Sequence, residues 1–415
     1  MLRDGGNAAD AALAAAAVLC VTEPMMTGVG GDAFAIVYTR DGRVDGLDAA
    51  GPAPANASPE APVAWDGPRS VTVPGAVAGW AALAERHSRF ALDRHLRDAV
   101  DHAERGFEVQ PYCARYWQHA PKLPEGYAPA PGAGDWVQLP ELGATLQAIA
   151  DHGPDAVYRG RIAQAIVEAS WLELEDLASY QARWVEPLRR RYRAVDVYEM
   201  PPPTQGIAAL EALADLEGME PTLTNQVECV RRALGRALAG GDTVYLCAVD
   251  DDGMAVSFIQ SLFGAFGAGI TAPGTGVALQ NRGACFQVNG VVEPGGRPFH
   301  TIIPGLLLHR DGSLLGPFGV MGGFLQAQAH VQLVSALVDD GLDPQDALDR
   351  PRFRVDGDRV ALEPGLSDRA GEIPNAYVDS DVVGFGGGQA ILVGEYGELR
   401  AGSDRRKDGY AAFAS

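Results

Sequence analysis

The 415-residue sequence contains few cysteines, and its five cysteines form no Cys-x-x-Cys pair. An odd number of scattered cysteines predicts neither a disulfide framework nor a zinc site. The histidines also show no ligand spacing with cysteines or carboxylates, so the sequence predicts no metal and no other cofactor. The cysteines, which we expect to be small buried apolar residues, are Cys20, Cys113, Cys229, Cys247 and Cys285.

Long apolar runs are also missing. The longest, from Ala11 to Val21, is too short to cross a bilayer, and no basic segment with a cleavable site precedes it. The sequence therefore predicts no membrane association and no export signal, which favours a cytoplasmic location. A periplasmic or secreted location stays open if a further segment precedes Gly5-Gly6-Asn7.

Positive charge is scarce, with 33 Lys and Arg against 54 Asp and Glu, which gives a formal net charge of -21. Such a field repels the phosphate backbone, so nucleic acid is excluded as a partner. The acidic excess is explained equally well by an acidic proteome of the host. With 47% hydrophobic residues, the composition is typical of a folded globular protein.

The N-terminal segment combines a helix signal with a hairpin signal. Asn7 and Asp10 form an N-cap pattern ahead of an Ala-rich stretch that favours a buried helix. The segments 33–38 and 44–47 flank the turn dipeptide Asp41-Gly42, which predicts a hairpin. Glycines 28, 30 and 31 suggest a phosphate loop, but they follow a helix and precede a strand, the reverse of the order that such a loop requires.

The remaining chain is helical first and then mostly β. Apolar spacing predicts helices between residues 74 and 185 and again at 207–216 and 226–238, with a Pro/Gly-rich loop at 121–135. Strands flanked by helices indicate stacked sheets that are covered on both outer faces. The predicted strands are 195–200, 244–249, 255–259, 277–279, 302–308 and 390–393, and in this half only 324–338 is strongly helical.

Thr243 follows two glycines and opens a predicted strand. By itself a threonine at a strand start is only a β-branched residue that suits a pleated sheet. Several motifs in consistent order support a functional role for Thr243. They are residues 5–11, 23–31, Val73 to Gly79, Pro201 to Gly206, Phe266 to Ile270, Arg297-Pro298 and Gly322-Gly323.

Together these motifs resemble the γ-glutamyltransferase family of N-terminal-nucleophile hydrolases over nearly the whole chain. The resemblance implies an α+β fold, a four-layer αββα sandwich with a helical lobe in the N-terminal half. It also implies self-cleavage at the Asp242-Thr243 bond. A large segment, 1–242, and a small segment, 243–415, would stay associated as one αββα domain.

The resemblance implies that Thr243 is the nucleophile. Its freed α-amino group, with a reference pKa of about 7.7–8.0, would act as the general base. Ser261 matches a hydroxyl position that orients the nucleophile, where the family usually has threonine. Gly322 and Gly323 match the oxyanion pair, and their place ahead of a helix suits N–H groups that face developing negative charge.

The γ-glutamyl pocket of the family is altered in this sequence. Ala50 stands where the family has a carboxylate-binding arginine, Phe263 replaces an asparagine, and Cys285 replaces an amine-binding aspartate. His300 and Thr301 stand at a serine pair. A charged substrate group buried without its partners costs several kcal/mol, so efficient γ-glutamyl transfer is not expected.

Arg282, which follows Asn281, and His300 lie at or near the altered positions and are candidates for binding a differently placed carboxylate. The sequence therefore predicts a small carboxylate-bearing amide as substrate, of γ-glutamyl, oxamate, glutaryl or cephalosporin type. A structural ion pair at Arg282, an uncut family member that acts as a binding protein, and a homo-oligomer stay open as alternatives.

Overall fold

A computed structural model describes residues 1–58, 63–234, 242–289 and 291–414. In chain order the strands are β1 (Asp32–Tyr38), β2 (Val44–Ala49), β3 (Phe107–Glu108), β4 (Trp136–Val137), β5 (Arg183–Val185), β6 (Leu188–Tyr192), β7 (Val195–Glu199), β8 (Asp242–Val249), β9 (Ala255–Phe263), β10 (Thr271–Ala272), β11 (Val277–Ala278), β12 (Gly305–His309), β13 (Leu314–Met321), β14 (Phe353–Asp356), β15 (Arg359–Leu362), β16 (Ala376–Val378), β17 (Gly387–Val393) and β18 (Leu399–Ser403).

The α-helices are α1 (Ala8–Thr22), α2 (Ala76–His87), α3 (Leu92–Arg105), α4 (Pro111–His119), α5 (Pro140–His152), α6 (Asp155–Tyr158), α7 (Arg161–Ala169), α8 (Leu174–Ala178), α9 (Gly206–Leu216), α10 (Leu223–Leu234), α11 (Phe286–Asn289), α12 (Leu325–Val338) and α13 (Pro344–Asp349). Short 3-10 helices lie at Leu2–Asp4, Pro68–Ser70, Arg282–Cys285, Pro364–Glu372 and Val382–Phe385.

Two antiparallel sheets form the centre of the fold. The first has the strand order β5-β2-β1-β9-β8 and the second β18-β17-β13-β12-β7-β6. Strand β8 of the first sheet contacts β13 and β17 of the second. Helices α1 and α2 pack against the first sheet, whereas α9 and α12 pack against the second. These four layers confirm the predicted αββα sandwich.

Helix α1 begins as the sequence predicts. The Asn7 side chain accepts a hydrogen bond from the Asp10 backbone N–H at 3.1 Å, and the Asp10 carboxylate accepts one from the Asn7 N–H at 2.8 Å. This reciprocal capping box satisfies N–H groups that a helix start would leave without partners. Alanines then allow α1 to pack closely against β8 and β9.

The predicted hairpin is also present. Strands β1 and β2 pair with Ala33 opposite Ala49, and Gly42 in the turn has φ 81°. The second edge of β1 pairs with β9, so that Asp32 lies opposite Ser261. This pairing places residues from distant parts of the chain at the same end of the first sheet.

The helical lobe comprises α3 to α8 and packs through contacts such as α3 with α5. The predicted loop at 121–135 contains neither helix nor strand. Helix α10 ends at Leu234, and the last part of the predicted helix 226–238 lies outside the described residues.

Several boundaries differ from the sequence prediction. The strand predicted at 302–308 begins only at Gly305, and β13 was not predicted although it lies inside the second sheet. Its sequence, Leu314 to Met321, carries two glycines and a proline, which lower β-propensity, but pairing on both sides with β12 and β17 overrides this preference. The predicted helix 324–338 is present as α12, and a further short helix, α13, was not predicted; it begins after Asp343, whose side chain accepts from the Gln345 N–H.

Within the described ranges, no helix has both the length and the apolar character needed to cross a membrane. Across the same residues, no group of three or more histidine, cysteine or acidic side chains is arranged to hold a metal ion.

Candidate active site

Thr243 lies at an irregularity in the pairing of β8 with β9. Asp242 is opposite Phe263 and Val244 is opposite Gln260, so two residues of β9 face the single residue Thr243. Such a bulge redirects side chains locally and is common beside active sites. Here it places the Ser261 hydroxyl 3.3 Å from Thr243 Oγ1.

The hydroxyl of Thr243 has a second neighbour, Gln326, whose Nε2 lies 3.4 Å from Thr243 Oγ1. Both Thr243 and Gln326 are buried. Ser261 Oγ in turn accepts hydrogen bonds from the Phe263 N–H at 2.8 Å and from Arg282 Nη2 at 3.3 Å. A chain of polar contacts therefore connects the predicted nucleophile to a buried guanidinium.

Arg282 has no exposed surface, which is unusual for a charged side chain. Its Nη1 donates to Thr301 Oγ1 at 3.0 Å and lies 3.9 Å from Cys285 Sγ. Its Nε has no hydrogen-bond partner among the described residues. A buried guanidinium whose neighbours are hydroxyls and a thiol is suited to a carboxylate ligand, because it pairs such groups with two parallel hydrogen bonds.

Phe263 forms one wall beside this guanidinium. Its ring centroid lies 4.3 Å from Arg282 Cζ, a cation–π contact, and 5.0 Å from the ring of Trp65. The Phe263 backbone has φ 78°, a region that favours glycine and costs other residues about 1–3 kcal/mol. The hydrogen bond from the Phe263 N–H to Ser261 helps to hold this conformation.

His300 and Asp32 form a buried pair that the motif comparison did not identify. His300 Nε2 lies 3.6 Å from Asp32 Oδ2, and neither side chain has exposed surface. Burial, together with the positive charges of Arg282 and Arg297, holds the pKa of His300 well below its usual value. The imidazole is therefore neutral near pH 7.

The pKa of Asp32 is shifted in the opposite direction to that of His300. Burial raises the pKa of Asp32 to about 7, although Arg282 and the N–H groups of Gly51 and Gly75 act to lower it. Those two N–H groups donate to Asp32 Oδ1 at 3.1 and 3.2 Å, whereas Oδ2, on the side of His300, has no hydrogen-bond partner in the described part of the chain. A carboxyl with a strongly perturbed pKa beside a buried arginine indicates a functional site.

The two predicted oxyanion glycines follow β13 and precede α12. Gly322 has φ 135° and Gly323 has φ 60°, conformations that L-residues with a side chain rarely adopt. Gln205 Nε2 donates to the Gly323 carbonyl at 2.8 Å and also to the Thr301 carbonyl. Gln205, which lies in the motif Pro201 to Gly206, therefore connects the glycine turn to Thr301, the residue that accepts from Arg282.

Two predicted substrate-binding residues, Asn281 and Ala50, form hydrogen bonds with backbone groups or with Asp48. Asn281 is buried, and its side chain accepts from the Gly264 N–H at 2.8 Å and donates to the Trp65 carbonyl at 2.7 Å. Its amide therefore connects backbone segments. Ala50 is buried, and its N–H donates to Asp48 at 3.1 Å. Asp48 also forms ion pairs with Arg183 and Arg297.

Thr243 lines a groove of about 1210 Å³ that follows the outer edge of β8. Its lining also includes Met25, Met26 and Met321. Arg282 does not line this groove and is fully buried.

Sequence reasoning missed Asp32, Gln205 and Gln326. Asp32 and Gln205 directly adjoin or lie within the quoted glycine and proline motifs, so their position was a usable signal. Gln326 stands three residues after Gly323 in an apolar helix, where a polar residue predicted to be buried was a weaker signal.

Comparison with known proteins gives consistent matches. The family model described as Gamma-glutamyltranspeptidase matches residues 1–238 and 224–414. The glutathione hydrolase-like YwrD proenzyme of Bacillus subtilis is 30% identical, with 99% of this chain and 95% of that protein covered. The oxamate amidohydrolase proenzyme of Klebsiella pneumoniae has the same identity and coverage. The crystal structure of a cephalosporin acylase from Bacillus halodurans is 35% identical with a TM-score of 0.93, over 100% of this chain and 93% of that one.

Proposed function

The chain belongs to the gamma-glutamyltranspeptidase family and is an enzyme of amide hydrolysis or acyl transfer, and we propose that Thr243 is its nucleophile, freed by cleavage of the chain's own Asp242-Thr243 bond. The observation that carries this assignment is the position of the Thr243 hydroxyl, which contacts Ser261 within a buried polar cluster. The names of the relatives, which are called proenzymes, support a processed precursor.

In the self-cleavage step, Thr243 Oγ attacks the carbonyl carbon of Asp242. The hydroxyl proton leaves Oγ as the new C–O bond forms, the peptide C–N bond breaks, and the nitrogen takes up a proton to become a free amine. Water then hydrolyses the ester, which releases the Asp242 carboxylate and restores the Thr243 hydroxyl. The product carries the nucleophile and an α-amino base on one residue.

In turnover, the α-amino group of Thr243 accepts the hydroxyl proton while Oγ attacks the substrate carbonyl. An α-amino group with a pKa of about 7.7–8.0 is partly neutral at pH 7 and can act in this way. Ser261 orients Oγ, and the N–H groups of Gly322 and Gly323 stabilise the oxyanion. The leaving amine takes a proton, and water or another acceptor then removes the acyl group from Oγ.

For the substrate we favour a small amide that bears a carboxylate. Arg282 is buried and donates to Ser261, the neutral His300 is buried beside Asp32, and a substrate carboxylate would pair with the guanidinium. The replaced residues Ala50, Phe263 and Cys285 offer no charged partner for a γ-glutamyl α-amino or α-carboxylate group. A compact anionic amide such as oxamate, the substrate named for one relative, fits this arrangement better than a γ-glutamyl donor.

The first prediction concerns Thr243. We expect the purified wild-type protein to give two fragments by intact-mass spectrometry, the smaller one beginning at Thr243, because the nucleophile cuts the preceding bond. Thr243→Ala should remain a single chain and should show no amidase activity, a loss of at least about 10³-fold, since the nucleophile is removed. Ser58→Ala, at an exposed position, serves as the control and should be cut normally.

Activity is then measured with oxamate, glutaryl amides, a cephalosporin side-chain amide and a γ-glutamyl anilide. A cut protein that hydrolyses a carboxylate-bearing amide supports the proposal. A single chain in both wild type and Thr243→Ala would contradict it and would favour an uncut binding protein of this fold.

A further inference from the structure

Gln326 lies in the first turn of α12, directly after the glycine turn that precedes this helix. It has no exposed surface. A buried amide must find hydrogen-bond partners on both its oxygen and its nitrogen side, because an unsatisfied buried polar group costs about 1–3 kcal/mol. The hydrogen-bond partners of Gln326 therefore determine the orientation of its side-chain amide.

The backbone fixes which way the amide faces. Gln326 Oε1 accepts a hydrogen bond from the Ile303 N–H at 3.0 Å. A backbone N–H can only donate, so the oxygen of the amide must be the atom that faces Ile303. The usual ambiguity between the oxygen and nitrogen of a glutamine is thus removed, and Nε2 must face Thr243 Oγ1, 3.4 Å away.

We propose that Gln326 is a further catalytic residue, a fixed hydrogen-bond donor to the oxygen of the nucleophile. The inference rests on the proposed role of Thr243. In the uncut chain, Thr243 Oγ1 then accepts from Gln326 and directs its own hydrogen toward Ser261 Oγ, 3.3 Å away. The side-chain amide cannot take the proton, so its contribution is orientation and electrostatic stabilisation.

The donor contributes most when Oγ carries negative charge. This occurs as the ester or acyl-enzyme breaks down: water adds to the carbonyl, the C–Oγ bond breaks, and Oγ leaves with the electron pair before it regains a proton. Gln326 Nε2–H stabilises that departing oxygen. Loss of the donor should therefore slow deacylation more than acylation and should let the acyl form of Thr243 accumulate.

Helix α12 provides a matched control. Gln328 is also buried, its Oε1 accepts from the Val355 N–H at 2.7 Å, and its Nε2 donates to the Val355 carbonyl at 3.2 Å. Gln326 and Gln328 thus share residue type, helix and burial, and the oxygen of each accepts from a backbone N–H. Gln328 contacts β14 and, at 3.4 Å, the Phe324 carbonyl, but not Thr243. The two side chains separate a structural contribution from a catalytic one.

The experiment compares wild type, Gln326→Leu, Gln326→Glu and Gln328→Leu. We expect Gln326→Leu to slow self-cleavage and kcat by about 10- to 100-fold, the lower part of the range for loss of a donor to a developing oxyanion. Quenched samples analysed by mass spectrometry should contain acyl-Thr243, and KM should fall with kcat. Gln328→Leu should lower the melting temperature at least as much but should leave kcat unchanged.

Gln326→Glu guards against misfolding of the leucine variant. A glutamate retains the oxygen that accepts from Ile303, but its second oxygen can donate to Thr243 only when the carboxyl is protonated. Its activity relative to wild type should therefore rise as the pH falls, in contrast to Gln328→Leu, whose relative activity should not depend on pH.

Equal cleavage and kcat in wild type and both Gln326 variants would overturn this inference while leaving Thr243 as nucleophile. Equal losses in Gln326→Leu and Gln328→Leu, without acyl-enzyme and without the pH effect in Gln326→Glu, would also overturn it, since the role would then be structural. A wild-type chain without cleavage or acylation at Thr243 would remove both proposals.

Discussion

At the scale of single residues, the buried guanidinium of Arg282 serves two groups at once. It donates to Ser261 beside Thr243 and to Thr301, and it stacks on Phe263. Lysine carries the same charge but lacks the planar fork and packs less well on an aromatic ring. The contacts of Arg282 therefore depend on its shape as well as its charge.

We predict that Arg282→Lys raises KM for a carboxylate-bearing amide by about 10-fold or more, because the bidentate contact is lost. An uncharged amide of similar size should show a much smaller change in KM. Steady-state kinetics on the two substrates checks this. Arg297→Lys, which alters an arginine paired with Asp48, is the matched control. Equal effects of Arg282→Lys on both substrates would contradict a carboxylate contact.

Asp32 makes stability depend on pH. Its pKa is raised from the usual 3.8 to about 7 in the folded protein. Between these values the folded state binds more protons than the unfolded state, so the free energy of unfolding falls as the pH rises and levels off above about pH 7. The contribution is thus largest at low pH, opposite to that of a carboxylate in a strong ion pair.

Asp32→Asn should remove this contribution, because an amide does not ionise but retains an oxygen for the N–H groups of Gly51 and Gly75. Relative to wild type, the variant should gain roughly 2–3 kcal/mol between pH 5 and pH 8, since about two pH units lie between pH 5 and the folded pKa and one pKa unit corresponds to about 1.4 kcal/mol. Urea unfolding at both pH values measures this. Burial also raises the pKa of Glu23 to about 7, so this carboxyl adds a pH dependence of the same sign. Glu23→Gln measures that contribution separately. If the free energy of unfolding depends on pH in the same way in wild type and in Asp32→Asn, the pKa of Asp32 is not raised.

At the scale of secondary structure, local signals predicted the elements whose own sequence is decisive. The capping box at Asn7 and the turn at Asp41-Gly42 act within a few residues, and both were predicted correctly. Strand β13 was missed because its glycines and proline oppose a strand locally, whereas pairing with two neighbours stabilises it. Distant pairing of this kind has no signature in a short window of sequence.

Only part of the candidate site could be proposed from the sequence. Motif order pointed to Thr243, Ser261 and the glycine pair. The bulge of β9 and the orientation of Gln326 depend on contacts between residues far apart in the chain, Thr243 with Gln326 and Ile303 with Gln326. Such contacts form only when the two sheets and α12 are packed together, so no local pattern could have identified them.

At the scale of the whole molecule, the two segments on either side of Thr243 share both sheets. Strand β1 of the first segment pairs with β9 of the second, and β7 of the first pairs with β12 of the second. These two ladders lie away from the Asp242-Thr243 peptide bond, and only the first residue of β8, Asp242, would be separated from its strand by a cut there. Cutting this bond should therefore leave the fold in place.

We predict that the cut protein elutes from a size-exclusion column as one species that contains both segments, 1–242 and 243–415, and melts in a single cooperative transition. The reason is that separating the segments would expose both sheet edges and the apolar core at once. Denaturing electrophoresis of the peak should show two bands, and uncut Thr243→Ala should elute at the same volume. Segments that elute apart without denaturant would show that the shared sheets do not hold the cleaved molecule together.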